Sequence, residues 1–212
     1  MEQSFRLLTG IRLESGRCTL LSLHLDGLAT AAAAFNFRFE RAELESALVA
    51  LAATHAGQAP AELRLTLARD GLWTLDPPVP LQPDLTELRV MLWPDPIDSS
   101  DSLFRYRTTY RPIYEHALQE ARRSGFIDAM FHNERGLVTE GADHSVFVRH
   151  GSCWRTPTLD AGVFPGVYRS HLLSTLPELR EEDFPVDELF TADEVWLTNA
   201  VRGVRTVTIA TL

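Results

Sequence analysis

An α+β fold in two subdomains is predicted by three observations. Helical and strand-like periodicities occupy separate segments, a Pro-, Asp- and Ser-rich stretch interrupts them near the middle, and the apolar content is that of a globular chain. Of the 212 residues, 45% are hydrophobic and 23% charged, so each half can bury a core.

The elements follow in chain order. "FRLLTGIRLE" and "CTLLSLHL" carry apolar, strand-like content on either side of the turn "ESGR". From Ser22 to Ala34 the chain is alanine-rich, with Leu25, Leu28 and Ala32 at helical spacing. A second helix is expected from Glu40 to Ala53, with Leu44, Leu48 and Leu51 as its apolar stripe. In "AELRLTLARDGLWTLD", Leu63, Leu65 and Leu67 alternate with Arg64, Thr66 and Ala68, and "RDG" supplies a hairpin turn. "ELRVMLWPDP" is one more strand, stopped by prolines.

"PDPIDSSDSL" (residues 94–103) is too polar for a packed element. It sets the expected organisation: an N-terminal α+β subdomain at 1–95, a linker at 96–103 and a β-rich subdomain at 104–212. A helix running to Ser124 should bury Ile113, Ala117 and Ala121, with Tyr110, Tyr114 and Leu118 widening that face. "FIDAMFHNERGLVTEG" reads as a hairpin turning at Arg135-Gly136, and "HSVFVRHGSCWRTPT" as strands around His150-Gly151. "GVYRSHLLSTL" reads as a short helix after Pro165-Gly166, and "EVWLTNAVRGVRTVTI" as closing strands.

The formal net charge of -9 argues against nucleic acid or an anionic membrane surface as the main partner. No apolar run reaches the roughly 18 residues of a membrane span, and the first residues lack the pattern of a secretory signal. Cys18 and Cys153 lie far apart without metal-ligand spacing, which fits two free thiols in a cytoplasmic protein. All 20 basic residues are arginine, and no lysine occurs anywhere in the chain. Codon bias is a sufficient origin. The chemical consequence is that no side chain can condense with an aldehyde; the amine of Met1 is the one primary amine left.

Three stretches in order, "YRTTYRPIYE", "NERGLVTEGADHSVFV" and "TPTLDAGVFPGVYR", resemble the class IV pyridoxal-phosphate aminotransferases, a family that includes branched-chain and D-amino-acid aminotransferases and aminodeoxychorismate lyase. "LHLDGLATAAAAFNF" matches the family's His-Leu-x-Arg-Leu helix. The resemblance implies two subdomains with a cleft between them, a barrel-like second half, a homodimer, and an amino acid or aminochorismate-like substrate. It also implies the cofactor contacts. Glu140 would hold the proton of the pyridine nitrogen, as a carbanion-stabilising ring requires. Gly166, Val167 and Tyr168 at a helix start, with Thr198 and Asn199 at a strand end, would bind the phosphate. Arg169 matches a basic position of the family and His24 its helix histidine, although each also reads as a packing residue.

The departures bear on activity. Arg107 occupies the position of the family's lysine, and a guanidinium with a pKa above about 12 neither condenses with the cofactor nor shuttles a proton at neutral pH. Gly27 stands where the family has a phosphate-binding arginine, a contact worth about 1.5–3 kcal/mol. Ser145 replaces a common asparagine. The expected function is therefore aminotransferase- or lyase-like chemistry of impaired activity. The alternatives are a non-catalytic binding or regulatory protein, and cofactor-independent chemistry on His116, His132 or His144.

Overall fold

The alternation in Leu7–Glu14 forms strand β1 with one buried face, where Leu7, Ile11 and Leu13 point inward. The computed structural model describes residues 5–83 and 87–210; Met1 and its amine lie outside the described residues. Ser15 and Gly16, both at positive φ, turn the chain into β2 (Arg17–Cys18). The strand expected in "CTLLSLHL" ends there. Leu20 is left-handed (φ 53°), and helix α1 (Leu21–Phe35) starts at the next residue. Helical periodicity prevails in this segment because Leu25, Leu28 and Ala32 fall on one face and are buried in a shared core with β1.

Helix α2 (Arg41–Thr54) buries Leu44, Leu48 and Ala52 in that core. Strand β3 (Ala61–Leu67) pairs antiparallel with β1 and with β4 (Trp73–Leu75), and β5 (Val79–Pro80) adds to β3. Leu63, Leu65 and Leu67 all face the core, as their alternation requires.

The chain divides into two compact units: Met1–Pro83 with Tyr106–Tyr110, and Asp84–Arg105 with Arg111–Leu212. The stretch expected to link subdomains packs into the second unit. Ile97 is buried and bridges to Asn133, and Ser102–Arg105 form a 3-10 turn. Beyond it, Tyr106–Tyr110 return to the first unit beside β1. Leu8 N–H donates to Arg107 O (3.0 Å) and Thr109 N–H to Arg6 O (2.9 Å). A polar stretch is thus packed because its backbone finds sheet partners, which composition does not reveal.

The second unit holds β6 (Arg89–Leu92), α3 (Pro112–Arg123), β7 (Asp128–His132), β8 (Val138–Gly141), β9 (Ser145–His150), β10 (Cys153–Thr156), α4 (Val167–Thr175), β11 (Leu179–Glu181), α5 (Asp187–Thr191), β12 (Glu194–Asn199) and β13 (Gly203–Ala210). Its strands form one sheet in the order β11-β10-β9-β12-β13-β6-β7-β8. Strand β8 ends the sheet, yet a three-residue turn joins it to β9, closed by Gly141 N–H donating to His144 O (2.7 Å). So short a connection curls the sheet back on itself. Helix α3 buries Tyr114, Ala117 and Ala121, while Ile113, expected inside, is 47% exposed. The buried stripe therefore starts one residue later. Phe131, Phe147 and Phe184 are fully buried, each contributing about 2–3 kcal/mol by apolar burial.

Candidate functional site

Strand β8 is buried along its whole length, which brings Glu140 to 3% exposure. Its carboxylate accepts two hydrogen bonds: Oε1 from the Tyr114 hydroxyl (2.8 Å) and Oε2 from the Phe164 N–H (3.1 Å). Burial first, and then the neighbouring Glu140 charge, push the Tyr114 phenol well above its ordinary pKa, so the phenol keeps its proton and is the donor. The Arg111 guanidinium lies over the Tyr114 ring at 4.4 Å and donates to Ala142 O (2.9 Å), tying the start of α3 to the end of β8. A buried carboxylate needs such donors.

The turn that supplies the Phe164 N–H ends at Gly166, the residue before α4. No side chain caps this helix, so its first N–H groups lack intrahelical partners. A Cβ on Gly166 would sit 2.7 Å from Ser145 Oγ, so only glycine lets the helix start approach β9. Ser145 is paired with Thr198 of β12. Thr198 is 1% exposed, and its Oγ1 is buried without a hydrogen-bond partner among the described residues. Glu140, Gly166, Val167, Tyr168 and Thr198 all belong to this one unit. The Asn199 side chain is occupied by the β12–β13 turn: Oδ1 accepts from Val201 N–H (3.1 Å) and Arg202 N–H (2.8 Å), and Nδ2 donates to Asp143 O (3.3 Å). Arg169 points inward at 3% exposure and donates to Pro157 O (2.8 Å) and Glu181 Oε1 (2.6 Å), fastening α4 to its neighbours.

Of the three histidines read as titrating candidates, His144 is tied to a carboxylate. Its Nδ1 lies 2.6 Å from Asp128 Oδ2, and Asp128 also accepts from the Ala129 N–H (2.8 Å) and Asp143 N–H (3.2 Å). A Cβ on Gly141 would meet Asp128 Oδ2 at 2.5 Å, so that glycine is required as well. His116 lies on the exposed side of α3 against the edge of Trp93.

Arg107 belongs to the first unit, where its backbone pairs with β1 and its charge acts on His24. His24 is 2% exposed with Nδ1 2.7 Å from Thr9 Oγ1. Burial first, and the Arg107 charge second, lower its pKa to about 4, so it is neutral at physiological pH. It packs into the core beside β1. Gly27, on the same helix, faces open space: a Cβ there would meet nothing within 4 Å.

Sequence reasoning assigned Tyr114 to the core and gave Phe164 no role, yet both bind Glu140. A signal for the first was available, since a tyrosine on a buried helix face needs a partner for its hydroxyl. Among the described residues no helix is long and apolar enough to cross a membrane, and no cluster of ligating side chains could hold a metal.

Comparison with known proteins bears on the fold and the family. Aminodeoxychorismate lyase of Bacillus subtilis (strain 168) is 32% identical over 108 residues, 49% of this chain and 37% of the lyase; the match thus spans little more than a third of that relative. A crystal structure from Mesorhizobium loti, assigned as an amino-acid aminotransferase, superposes with a TM-score of 0.88 at 28% identity over 97% of this chain and 100% of the other. The 4-amino-4-deoxychorismate lyase of Pseudomonas aeruginosa shares the fold alone, with a TM-score of 0.81 at 22% identity over 96% of this chain and 82% of the other. The family model "Amino-transferase class IV" matches residues 6–210, and the chain belongs to that family.

Proposed function

We propose that this protein is a class IV aminotransferase- or aminodeoxychorismate lyase-like member that binds pyridoxal phosphate without a covalent link and turns over poorly. The observation that carries the reading is the coexistence of a buried, doubly hydrogen-bonded Glu140 with a chain that has no lysine. The residues suit the cofactor in part. Glu140 would accept the ring-nitrogen proton. The unpartnered Thr198 hydroxyl and the uncapped start of α4, at Gly166, Val167 and Tyr168, would receive the phosphate. Asn199 would act by shaping the adjacent turn. The aldehyde has no side-chain amine to meet. When bound, the cofactor supplies an electron sink for carbanion chemistry. This chain's residues would hold the ring protonated and the phosphate fixed, while Arg107 at the family's lysine position can offer charge but no proton transfer at neutral pH.

Substrates in this reading are amino acids or aminodeoxychorismate-like compounds, and the assembly is a homodimer, which light scattering would check. The test is to add pyridoxal phosphate to the protein and to an Arg107→Lys variant, then assay transamination and pyruvate release. A weak wild type and an active variant that retains a borohydride-fixed adduct are expected. If the wild type is as active as the variant, the lysine is not what limits it and the reading fails. A second reading, a non-catalytic binding or regulatory protein on the same fold, is favoured by the lysine-free composition and gains if neither protein binds the cofactor.

A further inference from the structure

We infer that Tyr114 is a positioning residue for Glu140: its clamped hydroxyl favours the carboxylate over the carboxylic acid, so that this point of the site selects a ring whose nitrogen carries a proton over a ring without one. The inference rests on the reading that the chain binds a pyridine cofactor. It adds a selectivity and assigns it to a residue of the α3 core stripe, which the resemblance gives no part in the chemistry.

Tyr114 is 4% exposed, and its ring is clamped. Phe131 meets it edge to face at 4.8 Å between centroids and Phe104 at 5.4 Å, while the Arg111 guanidinium stands 4.4 Å from the ring centroid. The ring shares a core cluster with Met91, Ile97, Ala117 and Ala129. Apolar neighbours offer a hydroxyl no partner, so a swing away from Glu140 would strand a buried donor. The charged groups that act on the phenol are Glu140, Arg111 and Asp128. Burial first, and then the Glu140 charge, keep its proton in place; Arg111 works against them and Asp128 with them. Toward Glu140 the phenol is therefore a donor.

Glu140 thus faces a fixed O–H on Oε1 and a fixed backbone N–H, that of Phe164, on Oε2. A carboxylate accepts both. The acid form would carry its own hydrogen on an oxygen that already receives one. The two donors come from α3 and from the turn before α4, so separate elements set the plane of the carboxylate. A protonated ring nitrogen gives this carboxylate a further donor. A ring with carbon at that place gives none and leaves the buried charge without it.

Calorimetric titration at pH 7 tests this with 4′-deoxypyridoxine 5′-phosphate, which needs no amine, and with its carbocyclic counterpart, in which CH replaces the ring nitrogen. The wild type should prefer the nitrogen ring by at least about a hundred-fold. Tyr114→Phe keeps the ring and its packing and should lower that preference by at least about five-fold. A purely structural tyrosine would weaken both probes alike, so a smaller change in the ratio overturns the inference. Nitrogen NMR of the bound, isotope-labelled ring gives a second readout. The wild type should hold the nitrogen protonated, and the variant should move it toward the neutral form. An unprotonated nitrogen in the wild type overturns the inference whatever the variant does. Each of these failures leaves cofactor binding standing, whereas failure of both probes to bind overturns the proposed function and this inference with it.

Discussion

The two units of this protein differ in the kind of polar group they bury. In the second, Glu140, Asp128 and Arg169 are buried charged or acidic groups, each held by hydrogen bonds that reach separate elements. In the first, the buried polar residues among those described carry no carboxylate or guanidinium: they are Thr9, His24, Thr66 and Thr108. In the proposed reading the cofactor-binding groups belong to the second unit, and Arg107 and Gly27, at the positions the resemblance gives to a lysine and an arginine, belong to the first. The buried groups of the second unit also hold it together. Removing one would leave buried partners unsatisfied, whereas a side chain added at Gly27 meets nothing within 4 Å.

The sharpest way to break this contrast is to restore the first unit. Arg107→Lys should raise turnover with added pyridoxal phosphate by at least about a hundred-fold, the range attributed to a positioned acid–base group. A steady-state assay reads it, and no change would mean that the second unit is also deficient.

Next comes the internal support of the second unit. Asp128→Ala leaves His144 and two backbone N–H groups without their acceptor and should cost about 3–5 kcal/mol in urea unfolding. A cost below about 1 kcal/mol would show that this network is not structural.

The first unit has a pH-dependent element of its own. His24 is neutral when folded because its pKa falls from 6.5 to about 4. Above pH 6.5 folded and unfolded chains bind the same protons, so this stabilisation is complete; as pH falls from 6.5 to 4 the unfolded chain is protonated preferentially and it is lost. The loss should be on the order of 3 kcal/mol. Comparing denaturant midpoints of wild type and His24→Gln at pH 7 and pH 5 checks it, and a variant with the same acid sensitivity would assign the effect elsewhere.

The smallest effect is expected at Gly27. An arginine there meets open space and replaces a mid-helix glycine, so Gly27→Arg should stabilise by about 1 kcal/mol.

Much of this was legible in the sequence. Strand β3 and helices α1 and α2 follow from spacing, because Leu63, Leu65 and Leu67 can be buried together only with a period of two, and Leu44 and Leu48 only with a helical one. The candidate site was legible as an ordered set of short motifs, though not as contacts. Tyr114 and Phe164 reach Glu140 from 26 and 24 positions away, and no local pattern records such a meeting. Asn199 and Arg169 were legible as motif members, but their hydrogen bonds go to the adjacent turn and to the strand beside α4.

The sequence by itself determined which chemistry is available: a chain of 20 arginines and no lysine has no side-chain amine, however it folds. It also determined most element types, since periodicity is a local property. Only the tertiary structure decided that 96–103 packs instead of linking, that 106–110 returns to β1, and that Ser145 Oγ lies against Gly166 at the start of α4. Such outcomes depend on which backbone groups find partners across long separations, and that is settled by the enclosure of the whole chain.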